Sequence, residues 1–338
     1  MPRFQEGNTA AELAAHHSPS ITGKIILTTG VTPGSIGARY IEALAAHAPK
    51  LLILAGRSLP KLNKQVEVLA QAHPDVETRL LQVDLSSIDS VTKAAAQVYS
   101  WTDVPIIDIV VNCAGIMAVP YALSVDGIEM QLAANHIGHF LLTNSIMPKL
   151  LAAEGTPRVI NVSSNGHRLS AMRWGDISFD GGRTYDPWVA YGQSKTANML
   201  FSLALAKKLG NRGLLSFSVH PGLITTTGLA THLAWVAEGE EEDAMTTLLK
   251  KDQELGNEVG FGDAWSKLVV PVSSEAGAAT QMYASFDPEL KAHNGAYLEK
   301  CRPSDPMKDI FRPWGRDEYE AEMLWALSEK LTGRKFDY

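Results

Sequence analysis

Cysteine is scarce in this chain, which holds only Cys113 and Cys301 in 338 residues. Two isolated thiols build neither a disulfide framework nor a metal-ligand cluster, so a reducing, cytoplasmic setting is expected. Positive charge is also short. Lys and Arg total 30 against 37 Asp and Glu, a net charge of -7, and nucleic-acid binding needs a basic face that this balance does not supply. No run approaches the ~18 apolar residues of a membrane span, and residues 1–20 contain no apolar core of signal-peptide length. Core material, by contrast, is ample: 45% of residues are hydrophobic and 20% charged, an ordinary globular balance.

Residues 1–20 read as an N-terminal arm, a short helix or loose segment, and 21–338 as one domain. In that domain, short apolar runs alternate with helix-length segments. The strands expected are Lys24 to Thr29, Leu51 to Ala55, Arg79 to Val83, Ile107 to Val111, Arg158 to Val162 and Leu215 to Val219. Most are continuous apolar runs, as strands buried on both faces are. The alternation predicts an α/β, Rossmann-like, doubly wound parallel sheet with helices on both faces. Ligands of such sheets bind at the carboxyl ends of the strands, where Gly30, Arg57, Asp84 and Asn112 fall.

The first strand runs into Gly30-Val31-Thr32-Pro33-Gly34-Ser35-Ile36-Gly37 and then a helix-like segment. Strand, glycine-rich turn and helix N-terminus together suit a pyrophosphate, although the glycine spacing is not the standard one. Where an NAD enzyme places an acid on the ribose, about 20 residues past the last glycine, this chain has Arg57 and Ser58. That arginine favours a 2′-phosphate, so the expected cofactor is NADP (NADPH) rather than NAD.

Tyr191 and Lys195, four apart on a predicted helix over 190–209, share one helix face. A cation beside a phenol stabilises the phenolate and lowers its pKa, which is the reason to expect a catalytic pair. A second predicted helix, Gly127 to Leu151, carries Asn135, His136 and His139. No third ligand lies at a metal-site spacing, so the histidines are read as hydrogen-bonded helix residues and no metal is expected.

These segments, in this order, resemble the short-chain dehydrogenase/reductase family. The resemblance rests on the turn at Gly30, NCAG at Asn112, Asn135, the Ser163-Ser164 pair, YGQSK at Tyr191 and the Pro221-Gly222 step. Within the family the chain is most similar to the retinol dehydrogenase and protochlorophyllide reductase branch, through DGIEMQLAANHIGHFLLT, RVINVSSNGHR, YGQSKTANMLFSLALA and NGAYLEKC. The resemblance implies Tyr191 as the proton-transfer group and Lys195 as its neighbour that also holds the nicotinamide ribose. It implies Ser164 on the substrate oxygen and Asn135 holding a water of the proton relay. Asp84, with Leu85, is implied at the adenine. Asn112, Ala114, Gly115, Pro221, Gly222, Ile224 and Thr225 are implied along the cofactor, beside Gly30, Gly34, Ser35, Ile36 and Gly37. Two departures stand out: one residue is added between the last two glycines of the turn, and Cys113 replaces an asparagine. Cys113 is read as a small buried residue rather than a reactive thiol.

The implied activity is NADP(H)-dependent interconversion of a carbonyl and an alcohol on a small molecule. Reduction of an activated C=C bond on the same fold, or a catalytically silent nucleotide sensor, are the alternatives. Two stretches are expected to shape the substrate pocket: Asn165 to Val189, with Trp174, Phe179, Tyr185 and Trp188, and an insertion over about 228–268. The insertion mixes Leu229, Leu233, Trp235, Leu248 and Leu249 with an acidic run at 238–243, and the apolar content points to a bulky, mostly apolar substrate. A closing helix over Asp317 to Leu331 is left open between lining the pocket and a homo-oligomer contact.

Overall fold

The computed structural model describes residues 4, 7–233, 244–257 and 270–338. Strands β1 (Ile25–Thr29), β2 (Leu51–Gly56), β3 (Thr78–Gln82), β4 (Ile109–Asn112), β5 (Arg158–Val162) and β6 (Leu215–His220) match the expected six to within about two residues. Two more were not foreseen, β7 (Tyr297–Glu299) and β8 (Arg302–Pro303). The sheet order is β3-β2-β1-β4-β5-β6-β7-β8, parallel throughout except for the antiparallel β7–β8 pair.

Alternate residues of each central strand go to opposite cores, as the two-residue period of a strand requires. Ile25, Leu27, Leu51, Ile53, Val110 and Val159 face one core. Ile26, Leu52, Leu54, Val111 and Ile160 face the other. The second core is closed by α1 (Ala10–His16), α2 (Ile36–Ala45), α3 (Leu59–Ala72) and α8 (Ala279–Phe286), and the first by α4 (Ile88–Ser100), α5 (Gly138–Leu151), α6 (Pro187–Leu209) and α9 (Glu318–Thr332). One further helix, α7 (Ala244–Glu254), lies in the insertion.

One local expectation changes, and two readings left open are narrowed. Of the two alternatives for the N-terminal arm the short helix is found: Leu13, Ala14 and, just after the arm, Ile21 are buried in the second core, and a capping box at Thr9 and Glu12 starts α1. The long helix expected over 127–151 begins at Met130 and passes through a π turn, Ala133–Ile137, before α5. Glycine at 138 lets this segment press on the loop after β3, since a Cβ there would lie 2.1 Å from the Leu85 carbonyl oxygen. The closing helix α9 does not line the pocket. It buries Ala321, Leu324 and Trp325 in the first core, with Trp325 edge-on to Phe140 at 5.0 Å between ring centroids. Among the described residues no helix is long and apolar enough to cross a membrane.

Candidate active site

The added residue in the glycine turn is accommodated as a β-turn. The Ser35 N–H bonds the Thr32 carbonyl at 2.9 Å, and Gly34 takes φ +81°, so Pro33-Gly34 occupies the corner as in a type II turn. Ser35 then caps α2: its hydroxyl accepts from the Ala38 N–H at 3.1 Å and donates to the Gly30 carbonyl at 2.8 Å. Gly30 itself, at φ +74°, is where β1 meets the end of β4. A Cβ there would sit 2.7 Å from the Ala114 Cα.

The same crossing is pinned from below by Thr29. Its hydroxyl oxygen accepts from the Cys113 and Ala114 N–H groups at 2.9 and 3.0 Å, so its proton goes to His139 Nε2, 2.9 Å away. His139 is thereby fixed as the Nδ1–H tautomer, which donates to the Asn135 carbonyl at 3.0 Å. Burial holds its pKa down at about 4, as a neutral ring in this network requires. His136 bonds Ser328 at 2.8 Å. Both histidines act as hydrogen-bonded residues of the helix.

A cavity of about 420 Å³ opens along the carboxyl ends of the strands. At one end stand Thr32, Ser35 and Ile36 of the glycine turn, with Arg57 and Lys61 across from them. Ala114 and Gly115 line it, as do Pro221, Gly222 and Ile224. At the other end Ser164, Tyr191 and Lys195 come together beneath an apolar mouth of Met117, Leu169, Trp188, Leu229, Leu248 and Leu249.

Eight candidates do not line this cavity: Gly34, Ser58, Asp84, Leu85 and Thr225, which keep some exposure, and the buried Gly37, Asn112 and Asn135. Gly37 has its α-carbon pressed on the Gly30 carbonyl, where a Cβ would come within 2.7 Å. Ser58 takes the N-cap position of α3. Asp84 accepts from Ser86 in its own loop at 2.7 and 3.0 Å. Asn112 is turned into the sheet, donating to Thr143 and to Asn161 of β5 at 3.0 and 2.8 Å. Asn135 spends its amide on the Ile116 N–H and carbonyl at 2.8 and 2.9 Å and on Ser194 at 2.9 Å. It therefore positions the segment after β4 against α6.

The catalytic candidates are built on α6 and the turn after β5. Asp186 caps α6 by accepting from Trp188 and Val189 N–H groups at 2.9 and 3.0 Å, with Pro187 at the first helical position. Tyr191 and Lys195, 5% and 4% exposed, lie on one face, with the ammonium 5.5 Å from the ring centroid. Lys195 donates to the Val162 carbonyl at 3.0 Å, and its own carbonyl accepts from Ser163 at 2.7 Å. Ser163 thus locks the helix to β5, while the Ser164 hydroxyl, which accepts from the Gly166 N–H at 2.9 Å, lies near enough to the phenol to influence its titration.

Here one expectation is corrected. Lys195 was expected to hold the phenol below its ordinary value, but burial pushes Tyr191 up to about 12. The groups that pull it back are the Ser164 hydroxyl and the Arg168 charge. Burial likewise lowers Lys195 to about 8, so desolvation dominates both members of the pair. Cys113, expected to be buried, is only half-buried and lines the cavity, and burial pushes its thiol up to about 12.

The aromatic connection is also used differently from expectation. Only Trp188 of its four rings lines the cavity. Phe179 is fully buried under the Arg173 guanidinium, 4.5 Å from its centroid. Tyr185 bonds the Val119 carbonyl and Gln131, each at 2.9 Å, and Trp174 packs on the first core. In the insertion, Trp235 and the acidic run 238–243 lie outside the described residues. Lys61, in the first turn of α3 and four residues after Arg57, was missed from the sequence. Arg168 was missed too.

Comparison with known proteins gives this geometry its family. The sequence profile of the short chain dehydrogenases matches residues 24–236. The chain belongs to the short-chain dehydrogenase family. It is 34% identical over 349 residues to the chloroplastic short-chain dehydrogenase TIC 32 B of Brassica napus, covering 97% of this chain and 95% of that one. It is 30% identical over 325 residues to human (Homo sapiens) retinol dehydrogenase 14, covering 92% and 87%. These relatives fit the branch that the sequence resembles. Among solved structures, an uncharacterized protein of Mycobacterium paratuberculosis superposes with TM-score 0.69 at 29% identity, covering 98% and 100%. NADPH-bound carbonyl reductase from chicken fatty liver shares the fold at TM-score 0.54 and 19% identity, covering 82% and 96%. Membership makes the cavity that of a family of oxidoreductases that use nicotinamide cofactors.

Proposed function

We propose that this short-chain dehydrogenase interconverts a carbonyl and an alcohol on a bulky, mostly apolar small molecule, using NADP(H). The observation that carries the reading is one cavity with Ser164, Tyr191 and Lys195 at one end and Arg57 with Lys61 at the other. The donor set fits such a cofactor. The α2 N-terminus offers backbone N–H groups and its dipole to a pyrophosphate, and the two cations at the start of α3, Arg57 just before it and Lys61 in its first turn, suit the extra phosphate that separates NADP from NAD. Ala114, Gly115 and the Pro221 to Ile224 segment would line its length. Thr225 and Asp84 are cofactor contacts by resemblance. When bound, the cofactor supplies or accepts the hydride.

The chain's own residues handle the proton and the substrate oxygen. A phenol near 12 is protonated at neutral pH, so Tyr191 is poised as a donor to an oxygen that gains negative charge. Ser164, beside that phenol in the same cavity, polarises the same oxygen. Lys195 holds the ribose and keeps a positive charge under the ring. Asn135, through Ile116 and Ser194, keeps the segment after β4 in register with α6. Met117, Leu169, Trp188, Leu229, Leu248 and Leu249 receive the apolar body of the substrate.

NADPH oxidation by the full chain, measured against aldehydes and ketones of increasing apolar size, tests the reading. Alcohol products and a preference for the larger substrates are expected. A saturated C=C bond with the carbonyl intact would overturn it, as would cofactor binding with no turnover on any carbonyl. A cytoplasmic setting belongs to the same proposal, which a cell-fractionation experiment decides. One relative is named as chloroplastic.

A further inference from the structure

A helix from the insertion reaches into the body of the protein and ends on a buried charge. Asp252, on α7, is 0% exposed at its side chain, and its partner Arg168 is 3% exposed. The two are joined fork to fork, Arg168 Nε to Asp252 Oδ1 at 2.9 Å and Nη2 to Oδ2 at 2.6 Å. Such bidentate pairs fix orientation as well as distance. An α7 brought to this place without its partner would bury an unpaired carboxylate, which is strongly unfavourable.

Arg168 does more than receive this helix. Its Nη1 donates to the Asn165 carbonyl at 2.8 Å, bracing the turn Asn165–Leu169 that directly follows Ser164. Its own carbonyl accepts from Asn257 Nδ2 at 3.3 Å, and the same amide donates to Asp252 Oδ1 at 3.0 Å. Arg312 in turn donates to Asn257 Oδ1. A second tie runs from Lys251 to Asp186, the N-cap of α6, at 2.8 Å. That pair is partly solvated, 21% and 28% exposed, and contributes less. One anchor of α7 therefore falls in the turn that follows Ser164 and the other at the N-cap of the helix that carries Tyr191. Just before these anchors α7 presents Leu248 and Leu249 to the cavity, with Leu248 packed on the cluster formed by Leu169, Trp188 and Tyr191.

We propose that Arg168 and Asp252 are positioning residues: their ion pair docks α7 over the cavity and, through the same guanidinium, holds the turn after Ser164. Closure of the apolar mouth and placement of the serine are then a single event, made when this pair is made. The inference rests on the oxidoreductase reading for its kinetic consequence only, since docking of α7 is measurable without turnover.

The test uses the full chain and Asp252→Asn, which keeps the shape and removes the charge, beside Lys251→Ala at the solvated tie. Hydrogen exchange reads the amides of α7 directly, with those of β1 and β4 reporting that the sheet remains folded. Loss of protection of at least tenfold in α7 for Asp252→Asn, with β1 and β4 unchanged and little effect of Lys251→Ala, is expected. Kinetics with NADPH should show KM for a bulky aldehyde (decanal) raised at least tenfold and KM for a small one (propanal) changed less than threefold. Wild-type protection of α7 in Asp252→Asn would overturn the proposal, and so would an equal rise in KM for both aldehydes. If the wild-type chain turns over no carbonyl, the functional reading fails while the exchange experiment still decides this one.

Discussion

At the residue scale, the site depends on where its charges are placed. Arg57 and Lys61 are both exposed at the rim of the cavity, and a charge-assisted hydrogen bond to a phosphate is worth about 1.5–3 kcal/mol. Arg57→Asp is therefore expected to weaken NADPH binding by roughly 10- to 100-fold, while NADH binding changes by about threefold or less. Titration by cofactor fluorescence checks it, and equal losses for the two cofactors would remove the case for NADP. Lys195→Ala should harm both functions assigned to the lysine, raising the cofactor dissociation constant and lowering kcat together. The identities of these residues were legible because they sit at strand ends, where the topology concentrates ligand contacts. Their electrostatics were not. Sequence spacing puts an ammonium near a phenol but says nothing of desolvation, and burial reverses the sign of the expected shift at Tyr191. Arg168 was invisible for a related reason: Asp252 lies 84 residues away along the chain, with no local pattern to join them.

At the scale of elements, close backbone approaches do the positioning. The π turn brings Gly138 against the Leu85 carbonyl, where a Cβ would be 2.1 Å from the oxygen. Neither backbone can yield as a flexible side chain would, so Gly138→Ala is expected to destabilise the fold by roughly 3 kcal/mol or more. Gly30→Ala combines a positive φ with a 2.7 Å approach to the Ala114 Cα, and about 1–3 kcal/mol of destabilisation is expected. Chemical denaturation reads both, and a wild-type midpoint in either variant would contradict the geometry. The regular elements around these points were readable from alternating apolar runs and helical spacing, with β5 placed to the residue. Those missed were short or irregular. β7 spans three residues and β8 two, too few to show a period, and a π turn keeps an apolar helical pattern while changing its register.

For the whole molecule, the buried histidines govern the response to acid. His167 donates from Nδ1 to the Ser164 carbonyl at 2.8 Å and accepts at Nε2 from the Arg312 N–H at 3.1 Å. His220 accepts at Nδ1 from the Asn165 N–H at 3.3 Å. Rings that accept backbone N–H bonds must be neutral, and burial holds His136, His167 and His220 at about 3 and His139 at about 4. Their folded values lie below the ordinary 6.5, so the unfolded chain binds more protons between the two. Stability is therefore lost as pH falls from 6.5 toward 3. Glu299 opposes this. Burial raises it from 4.5 to about 7, so the folded state takes up its proton first and gains stability as pH falls across that window. Glu129 and Glu320, also raised by burial, act in the same direction as Glu299; the four histidines outweigh them, and the melting temperature should drop by several degrees between pH 7 and pH 5. Glu299→Gln removes one opposing contribution and should steepen the decline, whereas a shallower decline would contradict the assignment.

The account's central claim is that Tyr191 delivers the proton in a cavity built to hold NADP(H), and Tyr191→Phe measured beside the wild type tests it most directly. The substitution removes one hydroxyl and leaves the ring, its packing against Trp188 and the distant phosphate end in place. General acid catalysis contributes about 10²- to 10⁴-fold. NADPH should bind the variant within about twofold of the wild type, while kcat for carbonyl reduction falls at least 100-fold. Wild-type turnover in the Tyr191→Phe variant would contradict the claim.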